Sequence, residues 1–114
     1  MPKQKDKSQK HRLLLILLND LENELRKQGI WQTDRPSQSA LNSVQPFAID
    51  TLTFAQWLQF IFLEKMNELV QFALPLPQSI SVHPMAEEYF KHQFIDSREI
   101  IAIIARLDSL ISEK

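Results

Sequence analysis

The residues best placed to do chemistry are one histidine and two acids in the C-terminal third of the chain. In a continuous helix, Glu88, His92 and Asp96 would lie on one face at a spacing of four residues, an array that could hold a metal ion. This face lies opposite Phe90 and Phe94, so we expect it to be solvated, and Asp96 is better placed to cap a following helix. We therefore expect no metal site.

Other catalytic patterns are weaker. Glu64 and Glu68 are four residues apart, but both fall on the outer side of a predicted helix, where nothing raises a carboxyl pKa for acid catalysis. His83 near Glu87, and His11 in a basic segment, are weaker candidates still. The sequence contains no HExxH motif, no phosphate-binding glycine loop, no GxSxG motif and no cysteine. We expect neither an enzyme nor a bound cofactor.

The composition is that of one soluble domain. The chain has 114 residues with 44% hydrophobic and 24% charged side chains, and its single glycine leaves few tight turns for a sheet. The lack of cysteine excludes disulfides and agrees with a cytoplasmic location, which we predict. The apolar run at residues 13–18 is too short for a membrane span or a signal peptide, so we expect no membrane association.

Charge is distributed unevenly although the net charge is −1. Residues 1–12 hold five basic residues and one acid (+4), and the remainder holds eight basic and thirteen acidic residues (−5); the five are Lys3, Lys5, Lys7, Lys10 and Arg12. We predict a flexible, solvated tail over residues 1–12 and a single helical-bundle domain over 13–114. The alternative is a tail that binds RNA through its phosphates, although no aromatic residue is available there to stack on bases.

The first helix is predicted to begin between Ser8 and His11 and to end at Gln28. Its core face is a row of leucines at helical spacing: Leu14, Leu17, Leu18, Leu21 and Leu25. Gly29 follows a basic last turn and fits the left-handed residue of a Schellman stop, which would bring Ile30 back onto the preceding turn.

Residues 31–52 form a long, polar, proline-punctuated connection that we call the strap. Its apolar residues indicate that it is ordered and lies on the bundle, with one helical turn near Ser39 to Ser43; they are Trp31, Leu41, Val44, Phe47 and Ile49.

The next helix is the element that the rest of the chain surrounds. Thr53 and Gln56 fit a capping box, and the residues that follow, to Ala73, are apolar over most of the helix circumference. Phe60 and Leu63 fall among the polar residues when the sequence is plotted on a regular helix. We expect the strap to cover them, and the alternative is an exposed patch for a partner.

Two further helices follow a proline-rich linker at residues 74–81. The first is predicted from Pro84 to about Phe94; its inward residues are Met85, Ala86, Tyr89, Phe90 and Phe94. Asp96 and Glu99 fit a second capping box, and the apolar stripe of the last helix is Ile100, Ile103, Ile104, Leu107 and Ile111. The predicted fold is all-α, a closed helical bundle of about four helices with a long ordered strap between the first and second.

Surplus apolar residues define a candidate interaction surface: Ile16, Trp31, Phe47, Trp57, Phe60 and Leu63. Ile16 points away from the core face of the first helix, and we expect another part of the chain to cover it; the alternative is a self-association patch. We predict that a partner protein, or a second copy of this chain, binds where the strap meets the central helix.

Three stretches resemble the YqcC-like family of small bacterial proteins, whose function is not established: ELRKQGIW (24–31), QPFAIDTLTFAQWLQFIFLEKM (45–66) and LPLPQSISVHPMAEEYF (74–90). The chain departs from the family at Glu64 and Lys65, where the family favours proline and arginine. The resemblance implies a closed all-helical bundle and an intracellular bacterial protein. Family genes often lie beside one for a tRNA pseudouridine synthase, which implies an accessory role in RNA modification.

Overall fold

Every regular element is helical in the part of the chain that the structure describes. This computed structural model covers residues 2–113, and side chains from residue 9 onward. The elements are α1 (Pro2–Lys27), α2 (Gln38–Leu41), a 3₁₀ turn (Pro46–Ala48), α3 (Phe54–Trp57), a π-helical segment (Leu58–Leu63), α4 (Glu64–Gln71), α5 (His83–Phe90) and α6 (Arg98–Ser112). Within residues 2–113 no helix is long and apolar enough to cross a membrane. The predicted all-α bundle with an ordered strap is confirmed.

The elements α3, the π-helical segment and α4 run without interruption and form the central helix. The central helix packs antiparallel to α1, as contacts at both ends show. Just after the end of α1, the Gln32 N–H donates to the Gln59 side chain near the start of the central helix. Near the start of α1, the His11 Nε2–H donates to the Leu74 carbonyl, just after the end of the central helix, at 2.9 Å. At the same end as His11, Lys10 Nζ donates to the Ile111 carbonyl of α6. Therefore α1 also runs antiparallel to α6.

The core consists mainly of the apolar stripes that the sequence predicts. Members of the two stripes that are almost fully buried are Leu14, Leu18, Leu21, Leu25, Ile100, Ile103, Ile104, Leu107 and Ile111. Each buried leucine or isoleucine contributes roughly 1.5–3 kcal/mol from the removal of apolar surface from water. The stripes of α1 and α6 thus account for much of the stability of the bundle.

Helix α1 begins at Pro2, earlier than the start predicted between Ser8 and His11. Proline is well tolerated in a first helical turn, and lysine and glutamine in residues 3–10 are good helix formers. Lys10 Nζ donates to the Glu113 carbonyl at 2.9 Å, so this lysine is attached to the end of α6. The predicted flexibility of residues 1–12 stays a prediction, because Met1 and the side chains of residues 2–8 lie outside the described part.

Gly29 ends α1 in the predicted Schellman motif. Its φ is +77°, its N–H donates to the Arg26 carbonyl at 3.0 Å, and the Ile30 N–H donates to the Leu25 carbonyl at 3.1 Å. The central helix ends in the same pattern around Ala73, whose φ is +52° although it carries a Cβ. The left-handed conformation is strained for alanine and not for glycine.

The π-helical segment explains the position of Phe60 and Leu63. A π turn closes hydrogen bonds from residue i to i+5 and so contains one more residue than an α turn, which changes the direction of the side chains that follow. Five residues of the segment are buried: Leu58, Gln59, Phe60, Phe62 and Leu63. Leu63 belongs to the main core, while Phe60 lies under the strap. The alternative of an exposed patch at these two residues is wrong.

Helix α5 ends at Phe90, which corrects the predicted end near Phe94. Its start is capped from α6, because the Asp108 carboxylate accepts hydrogen bonds from the N–H groups of Val82 and His83 at 2.8–3.0 Å. After Phe90 the chain leaves the helix in a turn, and Phe94 is fully exposed instead of facing inward.

The capping box predicted at Asp96 and Glu99 is also wrong. The residue at the N-cap of α6 is Ser97, which makes no side-chain capping bond, and α6 starts at Arg98. The Asp96 carboxylate instead accepts two hydrogen bonds from the Arg98 guanidinium, at 2.9 and 2.8 Å, and a longer one from the Arg98 N–H. These bonds favour the ionised carboxylate and lower the pKa of Asp96 to about 2.

Replacement of Gly29 by alanine should lower the free energy of unfolding by about 1 kcal/mol, because alanine is strained at this φ. An added Cβ meets no atom within 4 Å, so the loss comes from the backbone and not from a clash. Urea denaturation measures it. The matched control is Ala73→Gly, which relieves the same strain and should raise stability; a Gly29→Ala variant as stable as the native chain would contradict the assignment.

Replacement of Arg98 by alanine should raise the pKa of Asp96 from about 2 towards the ordinary carboxyl value of ~3.9. NMR titration of the carboxyl carbon measures the midpoint, and Arg106→Ala is a control that should leave it unchanged. Because the folded-state pKa is lowered, the ionised carboxylate stabilises the fold above ~pH 3.9, and this contribution is lost as the pH falls through about 2. An unchanged midpoint in Arg98→Ala would be inconsistent with this bond.

Candidate interaction surface

The strap is attached to the central helix by the side chain of Gln59. Its Oε1 accepts a hydrogen bond from the Gln32 N–H at 2.9 Å, and its Nε2 donates to the Gln32 carbonyl at 2.8 Å. Gln59 is the one buried polar residue in the described part of the chain, and this pairing satisfies both ends of its amide. A buried amide without partners is costly, so the pairing determines where the strap begins on the helix.

Arg35 holds the next part of the strap over the central helix. Its Nη1 lies 2.6 Å from the Glu64 carboxylate, and its guanidinium carbon lies 5.7 Å from the centre of the Phe60 ring. Both side chains of the ion pair are about half exposed, so the pair itself adds little stability. The main effect of Arg35 is to cover the Phe60 ring with its flat guanidinium group.

Phe47 attaches the far end of the strap through aromatic contacts. Its ring lies 4.7 Å from Trp57 in an edge-on arrangement and 6.1 Å from Phe54. The backbone at Phe47 and Ala48 is left-handed, with φ values of 56° and 48°. Such conformations cost of order 1–3 kcal/mol each and persist only where packing requires them. Here the aromatic contacts and the burial of Ala48 hold them in place.

The six residues of the predicted interaction surface do not form one exposed patch. Phe60 and Leu63 are buried, and three others are partly buried against the core: Trp31, Phe47 and Trp57. Ile16 lies on the outer side of α1 and is 52% exposed, so the expectation that another part of the chain covers it is wrong. Whether a partner binds where the strap meets the central helix stays a prediction.

A cavity of about 250 Å³ opens where α1 ends, the central helix begins and α5 ends. Its wall includes Trp31, Tyr89, Gln93 and Ile95. The Arg26 guanidinium lies over the Trp31 ring at 4.5 Å, which supports the indole from the side of α1. We call this end of the bundle, consisting of Trp31, Tyr89, Gln93, Phe94 and Ile95, the aromatic end.

Phe94 is the residue of the aromatic end that the sequence placed wrongly. It is fully exposed, and its two neighbours in the chain both line the cavity. The Trp31 indole N–H, the Tyr89 hydroxyl and the Gln93 side-chain amide have no hydrogen-bond partner among the described residues. The Trp31 and Tyr89 groups are not sealed from solvent, and Gln93 is exposed. The aromatic end therefore combines an exposed ring with polar groups that are free to bind a ligand.

Glu88, His92 and Asp96, the three residues of the possible metal site, do not come together at one point. Glu88 and His92 lie at the end of α5, with 3.3 Å between the His92 Nε2 and the carboxylate, but Asp96 binds Arg98 beyond the turn. No group of three or more potential ligands occurs among residues that the structure describes. A hydrogen bond from Lys91, and a smaller effect of the hydrogen bond with His92, lower the pKa of Glu88. These carboxylates are ion-pairing groups at the surface.

A second cavity, of about 470 Å³, lies at the opposite end of the bundle between the start of α1 and the proline-rich linker. Lys10, His11 and Glu113 line it. The ammonium group of Lys10 and the Nε2–H of His11 are engaged by the main-chain carbonyls of Glu113 and Leu74. The polar groups here therefore hold the ends of the helices together.

Substitution of Gln59 by leucine should lower the free energy of unfolding by about 2 kcal/mol, because the Gln32 N–H and carbonyl both lose their partner. Chemical denaturation measures the loss. Gln71→Leu makes the same change at an exposed position of the central helix and should alter stability by less than about 0.5 kcal/mol. Equal effects of the two substitutions would show that the Gln59 amide does not hold the strap.

Comparison with known proteins finds three relatives of this chain. It is 31% identical over 103 residues to the uncharacterized protein YqcC of Escherichia coli, covering 90% of this chain and 94% of that protein. An uncharacterized protein of Haemophilus influenzae is 31% identical over 93 residues, covering 82% of this chain and 87% of that protein. A protein of Pectobacterium carotovorum named tRNA pseudouridine synthase C is 42% identical over 62 residues, which are 54% of this chain and 16% of that protein.

The fold and the family are shown by two further matches. The solution NMR structure of YqcC from Escherichia coli superimposes with a TM-score of 0.78 at 31% identity, covering 91% of this chain and 89% of that one. The model of the DUF446 family, described as tRNA pseudouridine synthase C, matches residues 13–110. This chain belongs to the DUF446 family, to which its resemblance to YqcC-like proteins had pointed.

Proposed function

We propose that this protein is a non-catalytic accessory module that binds a tRNA pseudouridine synthase. The observation that carries the proposal is the match to the Pectobacterium protein named tRNA pseudouridine synthase C, in which the similar stretch is only 16% of the length. A stretch like this chain is therefore a minor part of a larger polypeptide that carries the synthase name. Two modules joined in one polypeptide stay close to each other because the linker gives them a high effective concentration. A module that is a separate chain has no such linker, so it needs a binding interface to associate with the enzyme.

The electrostatics of the surface acids support a non-catalytic role. A general acid needs a carboxyl pKa raised towards neutrality, which burial in a dry site provides. In this protein the neighbouring cations lower the pKa of Glu88 and of Asp96. Glu64 is exposed and paired with Arg35. The pKa values of Glu88 and Asp96 are therefore shifted in the direction opposite to that which acid catalysis needs.

The alternative function, an RNA-associated accessory protein that uses the basic tail, is supported less well. Lys10 of that tail holds the main chain at the end of α6 and is not free for phosphate. Residues 13–114 hold eight basic and thirteen acidic residues, and this net charge of −5 opposes the approach of RNA to the bundle. A protein partner, with the RNA bound by that partner, fits this charge distribution better.

The proposal is tested by titrating the purified chain into the tRNA pseudouridine synthase C of its own organism in a calorimeter. We expect saturable binding with a Kd of about 1 μM or tighter, the range of a specific interface between two globular proteins. Pseudouridine formation on tRNA, measured with and without the chain, then shows what the module does to the enzyme. Absence of binding to the synthase would overturn the proposal.

A parallel titration with tRNA alone distinguishes the alternative. Lys3, Lys5 and Lys7 are replaced together by glutamine, which removes charge from the tail and leaves the Lys10 contacts intact. We expect the native chain and this variant to bind the synthase equally well. Tight binding of tRNA alone that disappears in the variant would favour the RNA-associated function.

A further inference from the structure

We propose that the aromatic end is the surface that contacts the synthase, with Phe94 packing on the enzyme and an apolar side chain of the enzyme entering the adjacent cavity. This inference rests on the proposed function and adds to it the place and chemistry of the interface. The expected partner surface is an uncharged polypeptide segment that offers one apolar side chain and main-chain carbonyl groups.

Phe94 supplies the first argument. Its side chain is fully exposed to solvent in the turn between α5 and α6, so it makes no contribution to the core that would explain an aromatic residue there. The Arg98 guanidinium bonds the Asp96 carboxylate two residues later, which anchors the end of this turn. Aromatic side chains are enriched at the centre of protein interfaces, where their burial contributes most to affinity.

The size of the cavity supplies the second argument. At about 250 Å³ it is smaller than the ~300 Å³ at which pockets for small-molecule ligands begin, and it suits one inserted side chain. Trp31 and Tyr89 line the cavity, and neither the Trp31 indole N–H nor the Tyr89 hydroxyl has a hydrogen-bond partner among the described residues. Both can donate a hydrogen bond to a main-chain carbonyl of an entering segment.

The charges around the aromatic end determine the class of partner. Three of the nearby cations already contact an acid in an ion pair: Arg26 with Glu22, Lys91 with Glu88, and Arg98 with Asp96. Lys27 lies in the field of the Asp96 carboxylate. RNA phosphates would therefore compete with existing partners for the three paired cations, whereas an uncharged protein segment leaves every pair intact. The local charge balance favours a protein segment.

The substitution Phe94→Ala tests the inference in the calorimetric titration with the synthase. We expect binding to weaken by roughly 30-fold, the loss typical of an aromatic residue at the centre of an interface. The midpoint of thermal unfolding should stay unchanged because Phe94 makes no contact with the core. Phe72→Ala is the matched control: Phe72 is also exposed, but it lies at the opposite end of the central helix, roughly 25 Å away.

Tyr89→Phe is a second variant, which removes only the hydroxyl and keeps the ring contacts with Phe54 and Phe90. We expect it to weaken binding by roughly 5-fold, the effect of one hydrogen bond. If the native chain binds and both variants bind as tightly as Phe72→Ala, the aromatic end is not the interface although the proposed function stands. If the native chain does not bind the synthase, both the proposed function and this inference are overturned.

Discussion

The bidentate hydrogen bonding between the Gln59 side chain and the main chain of Gln32 is the interaction on which the arrangement of the strap depends. Gln59 lies in a π-helical segment that is buried on nearly all sides, so its amide has no access to water as an alternative partner. The pairing fixes the first strap residues against the central helix. It therefore positions Trp31 at the aromatic end and leads the chain to Arg35, which covers Phe60.

The ends of the helices are joined by polar side chains that reach between elements. Asp108 of α6 caps the start of α5, and Lys10 of α1 binds the carbonyls at the end of α6. Each bond satisfies main-chain groups that a helix end leaves without an intrahelical partner. Helix α5 has only eight residues, and the Asp108 cap holds its first turn. The turn that follows Phe90 places Phe94 in solvent.

These constraints give the two ends of the bundle different properties. At the Lys10 end, Lys10 and His11 donate hydrogen bonds to main-chain carbonyls and so join the ends of the helices. At the aromatic end three cations are held in ion pairs, while an aromatic ring and several hydrogen-bonding groups remain unused. This difference agrees with our proposal that the chain is a small module that binds another protein.

Much of the fold was determined by the sequence itself, because apolar periodicity and local caps act over a few residues. The leucines of α1, the isoleucines of α6, the Gly29 stop and the Thr53 cap all lie where the sequence predicts them. The tertiary structure alone decided the rest. The sequence predicts a regular helix at Phe60 and Leu63, but packing between the core and the strap accommodates a π turn there. The cap of α5 comes from Asp108, which is distant in sequence. Such contacts depend on which helices become neighbours, and that choice is made by the whole bundle.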